Sequence, residues 1–176
     1  MKPVFLDIDT QNDFMLPAGA LYVPGAERAI PAITELNRLA VSHGHNLIST
    51  ACLHTENDPE FQEWPPHCVA GTMGQMKPVV TLVGQTIFTK QTTDVFKNPH
   101  WLPLIQEIDA SEFIIYGVVT EVCVRFAAEG LHRLGRKVMV VTDAIRALNQ
   151  ASAQEFFQAF QANGGKLATV ADVIRI

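Results

Sequence analysis

Short apolar runs alternate with amphipathic stretches along this chain, and this alternation constrains the fold more than any other feature of the sequence. The apolar runs predict six strands, at residues 2–8, 46–52, 86–89, 112–119, 137–141 and 166–170. Helical spacing of apolar residues predicts helices at 26–43, 101–108, 120–134 and 152–163. Strands that alternate with helices predict one α/β domain over residues 1–176, with helices on both faces of a parallel sheet in a Rossmann-like three-layer sandwich.

The composition fits this fold and argues against several classes of partner. Apolar residues make up 48% of the 176 residues, which is enough for a large core. The net charge of −5, without a cluster of Lys and Arg, argues against nucleic acid as a partner. No apolar run approaches the roughly 20 residues that cross a bilayer, so we expect no membrane partner.

The cysteine pattern indicates a reducing environment. Three widely spaced cysteines, at 52, 68 and 123, do not form the even-numbered framework of a disulfide-rich domain. The first residues also lack the basic and apolar regions of a signal peptide. We therefore expect the protein in the cytoplasm.

The segment at 54–78 interrupts the alternation. It contains four prolines and two glycines, so we expect no regular element there. A loop of this length within a compact domain is usually functional.

Chemically reactive side chains follow several of the predicted strands. The first strand ends at Asp9, the second at Cys52 and His54, and the third at Lys90, and Cys123 lies one turn after the central strand. In open parallel sheets, ligands bind beyond the carboxyl ends of the strands. We therefore expect an acid, a lysine and a cysteine to meet at one edge of the sheet.

Cys123 is the candidate nucleophile. Thr120 is placed to cap the helix predicted at 120–134, so Cys123 falls in its first turn, where free N–H groups and the helix dipole favour a thiolate. Taken alone, a cysteine on an apolar helix is more often a small core residue. Proximity to Asp9 and Lys90 favours catalysis, because the carboxylate can accept the thiol proton and the ammonium can hold the thiolate.

Asp9 and Lys90 also have purely structural interpretations. The polar run that follows the first strand could form an Asx-type turn, which describes Asn12 and Asp13 better than Asp9 at the strand end itself. A lysine that ends a strand is usually a solvated charge. The convergence of residues from separate strands is the stronger signal.

Three short motifs together carry a resemblance to a known family. Residues 9–14 read Asp-Thr-Gln-Asn-Asp-Phe, residues 64–69 read Trp-Pro-Pro-His-Cys-Val, and residues 117–124 read Gly-Val-Val-Thr-Glu-Val-Cys-Val. The first and last resemble the opening and cysteine motifs of the isochorismatase-like cysteine hydrolases, and the middle one resembles a stretch of nicotinamidases. The motifs have the family's order and roughly its spacing, which indicates the nicotinamidase-like branch.

The resemblance implies a six-stranded parallel sheet and a triad of Asp9, Lys90 and Cys123. It also implies a cis peptide between Val118 and Val119 that directs the N–H groups of Val119 and Cys123 at an oxyanion. Asp9 would take the thiol proton, Cys123 would attack an amide-like carbonyl, and water would then hydrolyse the thioester.

The same resemblance implies a substrate pocket and raises the question of a metal. Phe14 and Trp64 would wall the pocket, although either also fits core packing. Nicotinamidases hold a divalent metal through an Asp-x-His pair and two later histidines. Here the corresponding positions hold Cys52, His54, Glu60 and His67.

Two interpretations of these four residues stay open. Cysteine, histidine and glutamate are all ligands that zinc accepts, so the set could hold one divalent metal such as zinc. Alternatively, the metal site has been lost, with Cys52 left as a buried thiol and His54 as a polar pocket residue.

The metal decides between substrates. With a metal, a pyridine carboxamide such as nicotinamide is the favoured small-molecule partner. Without one, carbamoyl compounds such as ureido acids or biuret, or the vinyl ether of isochorismate, are favoured. The family also implies a homo-oligomer. A non-catalytic member that binds a metabolite or serves as an assembly subunit is a further alternative, although an intact triad argues against it.

Overall fold

Six parallel strands form one sheet in the computed structural model, which describes residues 2–175. The strands are β1 (Lys2–Ile8), β2 (Asn46–Cys52), β3 (Thr86–Lys90), β4 (Ala110–Val118), β5 (Val138–Arg146) and β6 (Lys166–Ala168). Their order across the sheet is β3-β2-β1-β4-β5-β6, and every neighbouring pair is parallel. The structure confirms the predicted α/β fold with a six-stranded parallel sheet.

Helices cover both faces of this sheet. They are α1 (Asn12–Met15), α2 (Ile30–Ser42), α3 (Trp101–Glu107), α4 (Arg125–Arg133), α5 (Gln150–Ala162) and α6 (Val170–Ile174). Helix α2 contacts β1, β2 and α6, whereas α4 contacts β4 and β5. Because connections between parallel strands are right-handed and the direction reverses after β3, the helix that follows β1 lies on the opposite face from the helices that follow β4 and β5. Within residues 2–175, no helix has the length and apolar character needed to cross a membrane.

The core lies along the central strands. In β4 the side chains of Ile114, Ile115 and Tyr116 are buried, as is Leu6 in β1. Strands with apolar side chains on both faces are typical of the middle of a parallel sheet. The burial of these strands holds their carboxyl ends in fixed positions.

Gly117 allows β4 to approach β1 closely. Its φ is +116°, and a Cβ at this position would lie 2.1 Å from the carbonyl oxygen of Ile8. Only glycine combines this backbone conformation with so close an approach. The contact occurs where the two strands end, directly before the segment that carries Cys123.

The helix predicted at 120–134 begins differently from the expectation. A π-helical turn at Thr120–Val124 precedes α4, and Val119 occupies the N-cap position. The prediction that Thr120 caps this helix is wrong, because Thr120 is already inside the turn and no described side chain caps it. Instead, the carbonyl oxygen of Val119 accepts hydrogen bonds from the N–H groups of Val122 and Val124 at 3.1 Å each.

Two other predicted elements have different limits. The helix predicted at 26–43 starts as a 3-10 turn at Ala26–Ala29, and α2 begins at Ile30 with Pro31 in its first turn, where no N–H is needed. The strand predicted at 166–170 ends at Ala168, because Thr169 and Asp172 form a capping box that starts α6.

Candidate active site

A crevice lies at the carboxyl ends of β1 and β4. These two strands are neighbours in the sheet. The connection after β1 leads to β2 on one side, whereas the connection after β4 leads to β5 on the other side. Ligands of parallel sheets bind at such a switch point. Asp9 follows β1, Lys90 ends β3, and Cys123 lies in the π-helical turn after β4. The structure thus brings together the three residues that the sequence predicted at one edge.

Lys90 lies between the other two side chains. Its Nζ is 2.7 Å from Oδ2 of Asp9 and donates to Sγ of Cys123 at 3.8 Å. It also donates to the carbonyl oxygen of Thr92 at 3.0 Å. All three site residues are buried, with Lys90 only 2% exposed. Because buried charges need partners, the Asp9–Lys90 ion pair is what allows both charges to exist here.

Asp9 is held in an uncommon backbone conformation. Its φ is +49°, in the left-handed region that favours glycine. Its N–H donates to the carbonyl oxygen of Thr50 at 3.1 Å, and the Thr50 hydroxyl donates to Asp9 Oδ1 at 2.6 Å. Such conformations cost about 1–3 kcal/mol and persist where the surroundings determine them, which is common at functional sites.

Burial controls the protonation of the site. It raises the pKa of the Cys123 thiol well above its ordinary value, and the Asp9 carboxylate adds to this effect while the Lys90 ammonium opposes it. Burial acts to lower the pKa of Lys90, but the negative charge of Asp9 and of the neighbouring sulfurs outweighs it and raises that pKa. The direction of this shift favours the neutral thiol, so attack by Cys123 requires a base that takes its proton.

A narrow cavity of about 20 Å³ opens in front of Cys123. Its walls are mainly apolar, and they include Phe14 and Trp64, the two residues predicted to line a substrate pocket. Val119 lines the same cavity, and the peptide between Val118 and Val119 is cis. Mainly apolar walls beside a few polar side chains are typical of small-molecule sites.

The four predicted metal ligands lie together beside the triad. One donor atom from each of Cys52, His54 and His67 lies within 4.8 Å of the others. Glu60 Oε1 is 4.0 Å from His54 Nε2 and 3.9 Å from His67 Nε2. The sulfur, two imidazoles and a carboxylate form a donor set that zinc accepts.

Each of the two histidines offers a ring nitrogen to this cluster. His67 Nδ1 lies 2.8 Å from the carbonyl oxygen of Pro65, so Nδ1 carries the proton and the lone pair is on Nε2. Burial lowers the pKa of His67, which keeps the ring neutral as metal binding requires. His54 Nδ1 lies 3.0 Å from Asp58 Oδ2, but neither buried ring nitrogen of His54 has a hydrogen-bond partner of good geometry within residues 2–175.

Cys52 connects this cluster to the triad. Its Sγ accepts a hydrogen bond from Lys90 Nζ at 3.3 Å, a shorter distance than that from Lys90 to Cys123. Burial raises the pKa of the Cys52 thiol, the Asp9 charge adds to this, and the Lys90 ammonium opposes it. A bound cation would therefore have to displace the thiol proton.

Gln11, Asp13 and Asp58 were missed in the sequence as supporting residues. The Gln11 side chain accepts from the N–H of Cys52 at 2.6 Å and donates to its carbonyl oxygen at 2.8 Å. Asp13 accepts from the N–H of Cys68 at 2.7 Å. Gln11 and Asp13 belong to the motif at 9–14, which was the available signal. Asp58 gave none, because its segment has no regular periodicity.

The sequence and the fold are similar to those of known proteins. A sequence model described as the isochorismatase domain matches residues 3–172. The nicotinamidase of Escherichia coli (strain K12) is 28% identical over an alignment of 204 positions, which covers 94% of this chain and 93% of that protein. The nicotinamidase/pyrazinamidase of Mycobacterium tuberculosis (strain ATCC 25618 / H37Rv) is 29% identical over 157 residues, covering 77% and 82%. The crystal structure of the pyrazinamidase of Pyrococcus horikoshii in complex with zinc superposes with a TM-score of 0.88 at 27% identity, covering 96% of this chain and 99% of that one.

Proposed function

Because this chain belongs to the isochorismatase family, we propose that it is an amidohydrolase of the nicotinamidase type, with nicotinamide as the first candidate substrate. The observation that carries the proposal is the buried contact of Lys90 with both Asp9 and Cys123, at the mouth of an apolar cavity. A binding protein would have no use for a thiol placed against a carboxylate and an ammonium.

In the first half-reaction, Asp9 acts as the base. Its carboxylate accepts the proton of Cys123, and the sulfur attacks the amide carbonyl. The N–H groups of Val119 and Cys123 donate to the oxyanion of the tetrahedral intermediate. Asp9 then returns the proton to the nitrogen, the C–N bond breaks, and ammonia leaves behind a thioester on Cys123.

The second half-reaction uses the same carboxylate. Asp9 takes a proton from water, the hydroxide attacks the thioester carbonyl, and the acid leaves while Asp9 returns the proton to the sulfur of Cys123. Lys90 remains an ammonium throughout and balances the negative charge that moves between Asp9 and Cys123.

We further propose that Cys52, His54, Glu60 and His67 hold one divalent cation such as zinc. The unpartnered, buried Nε2 of His54 supports this assignment, since such an atom is costly without a partner. Asp58 orients the His54 ring and Gln11 fixes the backbone of Cys52, as outer-shell partners of metal ligands do. When bound, the cation supplies a Lewis acid that accepts a lone pair of the substrate.

The cavity supports a small, flat substrate. Phe14 and Trp64 contribute aromatic surface to its wall, which suits a ring such as pyridine. A ring nitrogen directed at the proposed cation would favour a pyridine carboxamide over an open-chain ureido compound.

The proposal is tested by ammonia release from nicotinamide, pyrazinamide, ureido acids and biuret. We expect release from nicotinamide, and a loss of at least about 1,000-fold in kcat for Cys123→Ala with unchanged circular dichroism. Cys68→Ala, which changes a buried cysteine outside the triad, is the matched control and should keep most of the activity. Full activity of Cys123→Ala would exclude the thiol mechanism, and release only from ureido acids or biuret would exclude the nicotinamidase assignment.

A further inference from the structure

A second buried charge lies two residues before Asp9 and has no part in the proposed mechanism. Asp7 in β1 is fully buried, and Oδ2 of its carboxylate lies 3.0 Å from Nζ of Lys77, which is only 6% exposed. Buried ion pairs contribute little net stability compared with well-packed apolar side chains. The pair therefore calls for an explanation other than stability.

Thr10, the residue that follows the proposed base Asp9, contacts both members of this ion pair. The Thr10 hydroxyl donates to Asp7 Oδ1 at 2.7 Å and accepts a hydrogen bond from Lys77 Nζ. Three groups thus form a closed triangle: carboxylate, ammonium and hydroxyl. Because Thr10 directly follows Asp9 in the chain, the triangle fixes the backbone on the carboxyl side of Asp9.

Lys77 brings a second segment to the same point. It lies near the end of the irregular segment 54–78, which carries Glu60, Trp64 and His67. Just before it, the carbonyl oxygen of Gln75 accepts from the Gln11 side chain at 2.7 Å. The residues that follow β1 and the end of the segment 54–78 are therefore bonded to each other.

The other partners of Asp7 lead away from the site. Its Oδ2 accepts from the Ser49 hydroxyl at 2.8 Å and from the Asn37 side chain at 3.2 Å. Ser49 lies in β2 and Asn37 in α2, and neither bond reaches the backbone at Asp9. A change at Ser49 therefore perturbs the same carboxylate without releasing Thr10.

We propose that Asp7, Lys77 and Thr10 form a positioning unit for Asp9. The Asp9 backbone has φ of +49°, and the hydrogen bonds with Thr50 hold it only on the side of β2. On the other side the Asp9 carbonyl oxygen accepts from the N–H of Gln11 at 2.8 Å, and the Thr10 hydroxyl adds a restraint that ties this turn to Asp7 and Lys77. This inference rests on the proposed function, since it takes Asp9 to be the acid–base group that serves Cys123.

Thr10→Val is the direct test, because it removes the hydroxyl, keeps the β-branched shape and leaves the Asp7–Lys77 pair intact. We expect kcat for nicotinamide to fall about 10- to 100-fold with KM changed less than about twofold, as for a small displacement of a catalytic group. The rate at which iodoacetamide alkylates Cys123, followed by mass spectrometry, should shift in the same direction as in Asp9→Asn. Thr10→Ser keeps the hydroxyl, so its kcat and its alkylation rate should stay near those of the wild type. Ser49→Ala should also leave both quantities near wild type.

Each outcome decides the proposal. If Thr10→Val has the same kcat and the same alkylation rate as Ser49→Ala, the positioning role is overturned. If Thr10→Val does not fold, the neutral double variant Asp7→Asn/Lys77→Met takes its place, and wild-type kcat in that variant would overturn the role equally. Undiminished activity of Asp9→Asn would instead contradict the proposed function, so the two failures are distinguishable.

Discussion

At the scale of single residues, Cys52 is where this chain departs from the Asp-x-His pattern of nicotinamidases. Its sulfur contacts Lys90 at 3.3 Å and shares a cluster with His54 and His67. A thiolate is a soft ligand that favours zinc, whereas a carboxylate also accepts harder cations such as manganese. The nature of this one side chain should therefore set the metal preference of the site.

We predict that Cys52→Asp changes this preference. After dialysis against equal zinc and manganese, the wild-type protein should retain zinc, and the zinc-to-manganese ratio of the variant should fall about 10-fold or more. Elemental analysis by mass spectrometry measures the ratio without reference to activity. Cys68→Ala should keep the wild-type ratio. An unchanged ratio in Cys52→Asp would mean that Cys52 is not a ligand.

Gly117 gives a residue-scale prediction about stability. In Gly117→Ala the new methyl group would have to occupy space 2.1 Å from the Ile8 carbonyl oxygen, in a backbone with φ of +116°. We expect the free energy of unfolding, measured with urea, to fall by at least about 3 kcal/mol.

Gly135→Ala is its matched control. Gly135 also has a positive φ, +73°, but a Cβ there meets no heavy atom within 4 Å. We expect a loss of about 1 kcal/mol from backbone strain alone. Equal losses in the two variants would show that the close approach of β4 to β1 does not require glycine.

At the scale of elements, the irregular segment 54–78 is fixed by side chains from the motif that follows β1. Asp13 Oδ2 accepts from the N–H of Cys68 at 2.7 Å, and Asn12 Nδ2 donates to the carbonyl oxygen of Met73 at 2.8 Å. The backbone of His54 also pairs with the segment around Val69. Polar side chains thus replace the backbone ladder that a regular element would have.

We predict that Asp13→Ala loosens this segment. The variant leaves the N–H of Cys68 without its acceptor, so limited proteolysis should cut within 54–78 several-fold faster than in the wild type. Asp143→Ala removes a comparable acceptor, for the N–H of Val170 at the start of α6 on the β5–β6 side of the sheet, and should not speed these cuts. Equal cleavage in the two variants would contradict a specific role for Asp13.

The sequence predicted the sheet well because the inner strands β1, β2, β4 and β5 carry apolar runs that are buried, although the edge strands β3 and β6 are largely exposed. It failed at element ends, such as Thr120 and Thr169, where hydrogen bonds to particular neighbours decide the boundary. It brought Asp9, Lys90 and Cys123 together through the strand-end rule. It could not predict that Lys77 meets Asp7, because this ion pair joins residues far apart in the chain.

At the scale of the whole molecule, the proposed metal site joins the sheet to the segment 54–78. Cys52 ends β2, whereas Glu60 and His67 lie within the segment. An ion held by both would be lost when either part unfolds. A ligand that binds only the folded state stabilises it in proportion to the logarithm of its concentration.

We therefore predict that zinc raises the melting temperature of the metal-free protein. At about 100 times the dissociation constant, binding contributes about 2.7 kcal/mol. For a chain of this size that corresponds to a rise of about 5–10 °C, measured by differential scanning calorimetry in chelator-treated protein. His54→Ala should fold but show no rise, because it removes a buried ring whose nitrogens have no hydrogen-bond partner within residues 2–175. A rise of the same size in His54→Ala would place the zinc elsewhere. If zinc raises the melting temperature of neither protein, the cluster does not bind zinc, whatever the enzyme hydrolyses.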